Sequence, residues 1–199
     1  MTVTSIPVTK GPGLSGDVDH SLIERAQGGD HEAFARVVAM HQRYVAGVTL
    51  RLMGWDSEID DVVQDVFATA WQRRAQLREP ERFRAWLTSI TLNTARHRLR
   101  RRKVRRALLL NVGQARPAEV REESPTGQSL ERLETGRQVR EAVNRLRQRD
   151  KEVLVLHYLE SMPIDEVAGV LGLRINTVEV RLHRARQRLA DHLPKELRP

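Results

Sequence analysis

The 199-residue chain contains no cysteine, and aromatic residues make up only 4% of it. The absence of cysteine excludes disulfides and thiolate-bound metals and fits a reducing compartment. So few aromatic side chains argue against one large aromatic-rich core and favour small helical domains built from Leu, Val and Ala. The sequence has no run of 18 apolar residues and no basic start followed by an apolar core at its N-terminus. We therefore expect a cytoplasmic protein without membrane insertion.

Charge is abundant, and most of it is positive. Charged residues make up 30% of the chain, and the formal net charge is +8. Such an excess of positive charge favours a polyanionic partner, and it favours nucleic acid more than a membrane surface. The densest basic stretch is ARHRLRRRKVRR, residues 95–106, which holds eight Lys or Arg and no acid. Alone, this stretch fits either a nucleic-acid contact or the solvated end of a helix, where the helix dipole favours cations.

Helical periodicity fills the first half of the chain. Asp30 is a suitable N-cap for a helix that Gly54 ends. Ser57, with Asp60 three residues later, resembles a capping box for a second helix. A third helical pattern follows Pro80 and continues into the basic stretch. We expect these amphipathic helices to pack against one another in a domain of residues 17–106, preceded by a flexible tail of residues 1–16.

The second half begins with a break in periodicity. Residues 107–129 include the polar, Pro- and Gly-containing segment GQARPAEVREESPTGQ and are interpreted as a flexible linker. From residue 130 helical patterns resume, with Asp150 as the expected cap of a short helix. Gly172 then separates a short helical pattern from a longer one, which is the signature of a helix-turn-helix. The predicted fold is all-α: two small helical domains joined by a flexible linker, the C-terminal one, residues 130–199, a helix-turn-helix.

The last helix presents a polar face suited to DNA. A helix turns 100° per residue, so the positions that point away from a buried Val178 can be read from the sequence. The side chains on that outward side are Asn176, Val180, His183, Arg184 and Gln187, with Thr177 and Arg181 on the flank. Arg and polar side chains at the exposed start of a second helix suit reading of the major groove. The alternative is an Arg-rich surface helix of an ordinary bundle.

An acidic cluster marks the start of the second helix. Its members are Asp56, Glu58, Asp60, Asp61 and Asp65. Paired carboxylates suit a metal or acid–base chemistry, but acids in a first helical turn are also stabilised by the helix dipole. A third possibility is a face that binds a basic partner protein. The seven histidines show no metal-ligand spacing, so we expect no cofactor and no enzyme activity.

Four stretches in order resemble bacterial RNA polymerase sigma factors, specifically the small two-domain extracytoplasmic-function (ECF) group of the sigma-70 family. The polymerase-binding helix of that family is similar to DVVQDVFATAW, and its promoter −10 segment to FRAWLTSITLNTARHRLRRRKVRR. Its helix pair before the helix-turn-helix is similar to REAVNRLRQRDKEVLVLHYLESM, and its −35 reader to IDEVAGVLGLRINTVEVRLHRARQRL. The likeness covers roughly residues 19–193.

The resemblance implies a role for each set of matching residues. Contacts with core polymerase are implied for Asp60, Asp61, Gln64, Asp65, Phe67 and Trp71. Contacts with −10 DNA are implied for Gln76, Arg82, Phe83, Arg84, Trp86, Asn93, Arg96, Arg100, Arg101, Arg102 and Arg105. Contacts with −35 DNA are implied for Arg174, Asn176, Thr177, Val180, Arg181, Arg184 and Arg186. The implied partners are core RNA polymerase, through its β′ clamp helices and β flap, promoter DNA and an anti-sigma factor.

The chain departs from the family pattern at several positions. Pro163 stands where a Ser or Thr cap is common, so capping is expected to shift to Ser161. Asn176, Glu179 and Val180 replace the usual Gly, Lys and Ser. Val180 offers a methyl contact to thymine instead of a hydrogen bond, which predicts an unusual −35 preference.

Three hypotheses therefore follow from the sequence. The first is an ECF-type sigma factor that binds core polymerase and directs initiation through −10 and −35 recognition and promoter melting. The second is a stand-alone helix-turn-helix repressor or activator, which has no need for the acidic helix. The third is a metal-dependent enzyme that uses the Asp cluster.

Overall fold

The structure, a computed structural model, describes residues 20–54, 58–111 and 130–197. These residues form eight α-helices: α1 (His20–Gln27), α2 (His31–Met53), α3 (Ile59–Arg73), α4 (Phe83–Asn111), α5 (Leu130–Arg145), α6 (Gln148–Leu154), α7 (Ile164–Leu171) and α8 (Ile175–His192). Short 3-10 turns lie at Arg74–Gln76, Pro80–Arg82 and Lys195–Leu197, and a π-helical turn, Val155–Leu159, continues α6. Within the described ranges no β-strand occurs, and the all-α prediction is confirmed.

Helices α1 to α4 pack around one hydrophobic core. Aliphatic side chains such as Val45, Leu52, Val66 and Leu87 lose all contact with solvent there. Each such burial stabilises the fold by about 1.5–3 kcal/mol. This core fixes the position of α3, which carries the acidic cluster, relative to α4, which carries the basic stretch.

The ends of α2 confirm the signals in the sequence. The Asp30 carboxylate accepts hydrogen bonds from the backbone amides of Glu32 and Ala33 at 2.9 and 3.0 Å. The Ala33 amide, together with the side chain of Arg25, lowers the pKa of Asp30. At the other end Gly54 has a φ of 79°, a value that favours glycine, and its amide closes the last turn on the carbonyl of Leu50.

Helices α5 to α8 surround a second core, which contains Val153, Leu156, Val178, Leu182 and Ala185. The last helix therefore turns the side that carries Val178 toward the core, as the rotation from that residue predicts. Gly172 adopts the left-handed conformation, with φ 65° and ψ 40°, and ends α7. This turn sets α8 across α7 in the arrangement of a helix-turn-helix.

Two predicted helix caps differ from the structure. A third, Ser57, lies outside the described residues and stays a prediction; the residue preceding α3 is Glu58, whose side chain makes no cap hydrogen bond. Asp150 lies inside α6 instead of capping it, because its carboxylate is buried beside Arg188 of α8. Ser161 does not cap α7: Pro163 occupies the cap position without a side-chain bond, and Ser161 adopts a positive φ of 55° in the connection.

The basic helix α4 continues to Asn111, five residues into the segment interpreted as a linker. The two helical groups are also in contact, since α7 packs against α4 and the end of α6 packs against α2. No helix among the described residues is long and apolar enough to span a membrane.

Candidate functional site

The acidic cluster forms an exposed face on α3. Asp60, Asp61, Gln64 and Asp65 are exposed, as contact with a partner requires. Arg98 of α4 lies behind them, with its guanidinium 3.5 Å from the Asp61 carboxylate and 3.7 Å from that of Asp65. The same guanidinium lies 3.4 Å from Glu58. This arginine gathers three carboxylates at the edge of the face, although nothing in the local sequence pairs it with them.

The two aromatic residues predicted for the same face are less exposed than its carboxylates. Phe67 is buried in the first core, where it holds α3 in place, and its contact with polymerase stays a prediction. Trp71 is partly exposed and packs at 4.4 and 4.9 Å, between ring centroids, on His31 and Phe34. The guanidinium of Arg74 lies 4.2 Å above its ring, a cation–π contact. Trp71 therefore lies on the helix of the acidic face and remains partly exposed.

The connection between α3 and α4 carries the first of the predicted −10 residues. Gln76 and Arg82 are exposed on it, whereas Phe83 is buried between His41 and Trp86, with centroid distances of 5.0 and 5.9 Å. The cavity beneath this connection has a volume of about 10 Å³. That space holds about one water molecule and is too small for a nucleobase.

The remaining −10 residues divide between two sides of α4. A row on the side away from the protein body, named here the outer face, comprises His97, Arg100, Arg101, Val104, Arg105 and Leu108. Its members recur at helical spacing, and Asn93 is exposed one turn earlier. Arg102 lies about 160° around the helix from Val104, in the middle of this row, and therefore does not share this face. Its charge acts instead on Lys151 of α6, whose pKa is lowered by burial first and by Arg102 second.

Arg84 and Arg96 lie on the side of α4 that faces the second helical group. Arg96 forms a two-pronged ion pair with Glu152 of α6, with N–O distances of 2.8 and 2.6 Å. This hydrogen bonding raises the pKa of Arg96 above its ordinary value. Arg84 donates to the backbone carbonyl of Glu160 at 3.2 Å and lies 3.8 Å from its carboxylate. Two predicted DNA contacts are therefore occupied by carboxylates of the same chain.

The last helix places most of its predicted residues as expected. Arg174, Asn176, Val180 and Arg184 are exposed, and Thr177 and Arg181 are partly exposed on the flank. Arg186 is exposed but reaches sideways, with its guanidinium 3.5 Å from the Tyr158 hydroxyl. These side chains and the N-terminus of α8 form a polar and positive surface of the size that enters a major groove.

Sequence reasoning missed two residues. Ile175, the first residue of α8, is 48% exposed, as is Val180. Arg51 of α2 pairs with Glu160 across a separation of 109 residues, with its Nε 2.9 Å from Oε1. Because Ile175 lies three residues before Val178, helical spacing alone places it with the buried positions, and the sequence offered no signal for its exposure. No pattern within a window of one helix could have found Arg51.

Among the residues that the structure describes, no group of three or more His, Cys, Asp or Glu is placed to hold a metal ion. Three carboxylates of the acidic cluster, those of Glu58, Asp61 and Asp65, instead face the guanidinium of Arg98.

Family models match both helical groups. The model of sigma-70 region 2 matches residues 37–105, and that of sigma-70 region 4 matches residues 136–189. The first runs from within α2 to within α4 and includes the acidic face and much of the basic stretch. The second spans α5 to α8, with the helix-turn-helix.

Similar proteins cover almost the whole chain. The RNA polymerase sigma factor CnrH of Cupriavidus metallidurans is 36% identical over 179 residues, 87% of this chain and 93% of that protein. The ECF RNA polymerase sigma-E factor of Haemophilus influenzae is 29% identical over 185 residues, 88% of this chain and 95% of that protein. The solved structure of CnrH in complex with the cytosolic domain of CnrY aligns with a TM-score of 0.60 at 32% identity, covering 88% of this chain and 96% of that one.

Proposed function

The chain belongs to the ECF group of the sigma-70 family of RNA polymerase sigma factors, which direct core polymerase to promoters, and from this premise we propose which of its surfaces performs each step. The family models account for residues on both sides of the linker. A stand-alone repressor or activator does not fit this pairing, because it has no use for the region that binds polymerase.

The exposed carboxylates of α3 are the proposed polymerase contact. Asp60, Asp61 and Asp65 give this helix a negative surface in a protein of net charge +8. Such a surface complements a basic helical partner and excludes nucleic acid. The resemblance identifies that partner as the β′ clamp helices. Arg98 acts as a positioning residue, because its guanidinium holds the carboxylates of Asp61 and Asp65 at the edge of this surface.

The −10 element is the proposed ligand of α4 and of the connection before it. The arginines of the outer face bind phosphates of the duplex, which positions the DNA without reading its sequence. Gln76, Arg82 and the exposed edge of Trp86 lie beside the site where unpaired bases are expected to stack as the strands separate. Promoter melting follows because base capture on the connection competes with base pairing.

The −35 element is the proposed ligand of α8. Its exposed N-terminal residues combine Arg side chains, which bind guanine or phosphate, with the apolar Ile175 and Val180, which suit thymine methyl groups. Region 4 is also the proposed contact for the β flap. Residues 112–129 are the proposed linker, a segment that lies outside the described residues.

An anti-sigma protein is the proposed regulator, as the complex of the relative CnrH with the cytosolic domain of CnrY supports. The chain itself is proposed to carry out no catalysis and to act in the cytoplasm with polymerase and DNA. Sigma factors regulate initiation and are not themselves enzymes.

The observation that carries the proposal is the separate acidic and basic surfaces of one small domain, on α3 and α4. Transcription from purified components tests it: initiation from a promoter selected out of a random DNA library should require both core polymerase and this chain. Tight, sequence-specific DNA binding by the isolated chain, with no effect on core polymerase, would refute it.

A further inference from the structure

Two apolar side chains are exposed on the basic helix α4. Val104 is 60% exposed and Leu108 is 61% exposed, and no other large apolar side chain that the structure describes has so high an exposed fraction. The two residues lie four positions apart, so they are neighbours on one side of the helix and form a small apolar stripe. Contacts with DNA phosphates, the proposed use of this face, give neither side chain an apolar partner. The stripe therefore indicates a second ligand.

Arginines flank the stripe on both sides. Because a helix turns 100° per residue, Leu108 lies about 40° around α4 from Val104, and Arg100 lies about 40° from Val104 in the opposite direction. Arg101 and Arg105 lie about 60° and 100° from Val104 on the side of Leu108. All five residues belong to the outer face. An apolar centre with cations on both flanks is the pattern of a helix that lies in the plane of a membrane interface.

The flanking side chains suit such an interface. Arg100, Arg101 and Arg105 are exposed, and an arginine can lay its methylene stem along an apolar surface while its guanidinium stays at the level of the lipid phosphates. Lys103 and Arg106, exposed on other sides of the same helix, add to the attraction toward an anionic surface. The end of α4 therefore combines the two attractions that hold a helix on an anionic bilayer, apolar burial and opposite charge.

The shape of this surface favours a bilayer over a partner helix. Every residue that lines it belongs to α4, so the part of the chain that the structure describes supplies no second wall. A partner helix usually lies in a groove between two elements, whereas a flat bilayer needs only one projecting face. From His97 to Leu108 this face is about 16 Å long, which is about three helical turns.

We propose that the outer face of α4, centred on Val104 and Leu108, binds the surface of an anionic phospholipid bilayer. The two apolar side chains enter the boundary between headgroups and acyl chains, and the flanking arginines bind lipid phosphates. This is attachment to a surface and not a span, since no helix within the described ranges can cross a membrane. The inference goes beyond the proposed function and does not depend on it.

Bilayer and promoter DNA exclude each other at this face. Lipid phosphates and DNA phosphates are bound by the same guanidinium groups, which offer the same donors to both. A chain attached to the bilayer therefore cannot lay this face on DNA, and an excess of duplex DNA should release it. Only the apolar stripe distinguishes the two ligands, because a bilayer buries Val104 and Leu108 and a row of phosphates does not.

Cosedimentation of the full chain with vesicles tests the inference. Vesicles of equal parts phosphatidylglycerol and phosphatidylcholine should bind the chain, whereas vesicles of phosphatidylcholine alone should not. Val104→Gln with Leu108→Gln keeps all charges and should weaken vesicle binding about tenfold, because apolar surface no longer leaves water. The affinity of this variant for a mixed-sequence DNA duplex, and the salt dependence of that affinity, should stay unchanged.

Matched variants separate the apolar contribution from the charge. Met40→Gln with Val139→Gln changes two exposed apolar side chains outside α4 and should leave vesicle binding unchanged. Arg101→Gln with Arg105→Gln should weaken binding to vesicles and to the duplex alike. Because the chain has no cysteine, a polarity-sensitive dye on Leu108→Cys reports insertion. Its emission should shift to the blue on anionic vesicles, and that of a dye on Ala39→Cys of α2 should not.

Three results overturn the inference. The first is the absence of binding to the anionic vesicles at low salt. The second is equal vesicle binding by the Val104→Gln, Leu108→Gln variant and the unmutated chain, which means that charge alone attracts the chain. The third is weaker duplex binding by that variant, or weaker binding to core polymerase without any binding to vesicles, which assigns the stripe to DNA or to a protein. Failure of initiation by the unmutated chain with core polymerase would instead refute the proposed function and leave the vesicle results unaffected.

Discussion

The outer face of α4 gives a quantitative prediction for promoter binding. Arg101 and Arg105 lie one helical turn apart on this face, and both are exposed. Each arginine that neutralises one phosphate of duplex DNA contributes about 0.9 to the slope of log affinity against log salt. Replacing both with Gln should therefore reduce the slope by about 1.8. Between about 50 and 200 mM salt, this reduction corresponds to about a tenfold smaller loss of affinity.

The assay is equilibrium binding of the reconstituted holoenzyme to a promoter duplex and to a scrambled duplex, each at several salt concentrations. Affinity at low salt should decrease by a similar factor on both sequences, because phosphate contacts carry no sequence information. Arg36→Gln with Arg43→Gln on α2 is the control, since both residues are exposed and lie outside the proposed interfaces. An unchanged slope, or a loss confined to the promoter sequence, would refute the assignment of this face.

Three further predictions concern specificity and stability. Val180→Ser should change the −35 sequence selected from a random library, because a hydroxyl replaces an exposed methyl surface; an unchanged selected sequence would contradict this. Gly172→Ala should destabilise the protein by about 1–2 kcal/mol because φ is 65°. Gly169→Ala, inside α7 with open space around the new Cβ, should stabilise it by about 0.5–1 kcal/mol; chemical denaturation separates the two outcomes. Burial, and secondarily the charge of Arg84, lowers the pKa of His41 below its ordinary value of 6.5. Just below pH 6.5 the unfolded chain therefore binds more protons than the folded one, so the free energy of unfolding should decrease as the pH is lowered through this value. In His41→Gln this decrease should be less steep, which chemical denaturation at several pH values measures.

Local chemistry made much of the fold predictable. Asp30 and Gly54 mark the ends of α2 because an acceptor side chain satisfies free amides at one end and a positive φ is needed at the other. Gly172 identifies the turn of the helix-turn-helix for the same conformational reason. The apolar spacing from Val178 onward correctly identified which side of α8 is exposed.

Long-range packing was not predictable in this way. Asp150 is a residue type that commonly caps helices, yet it lies inside α6, where it forms an ion pair with Arg188, 38 residues away. Phe67 matches a motif for polymerase contact, and nothing in the local sequence shows that its side chain is buried in the core. Glu152 and Glu160 look like ordinary charged helix residues until the second domain is placed against the first. Their partners depend on tertiary contact, which the periodicity of single helices does not encode.

The most direct test of the account is a single charge reversal on the acidic face. Asp65→Arg, which is exposed on α3, should abolish promoter-dependent initiation by core polymerase, because it sets two like charges against each other at the proposed contact. Glu24→Arg, an exposed reversal on α1, should leave initiation unchanged. Full initiation with Asp65→Arg, in a chain shown to be folded, would contradict the claim that this face binds polymerase.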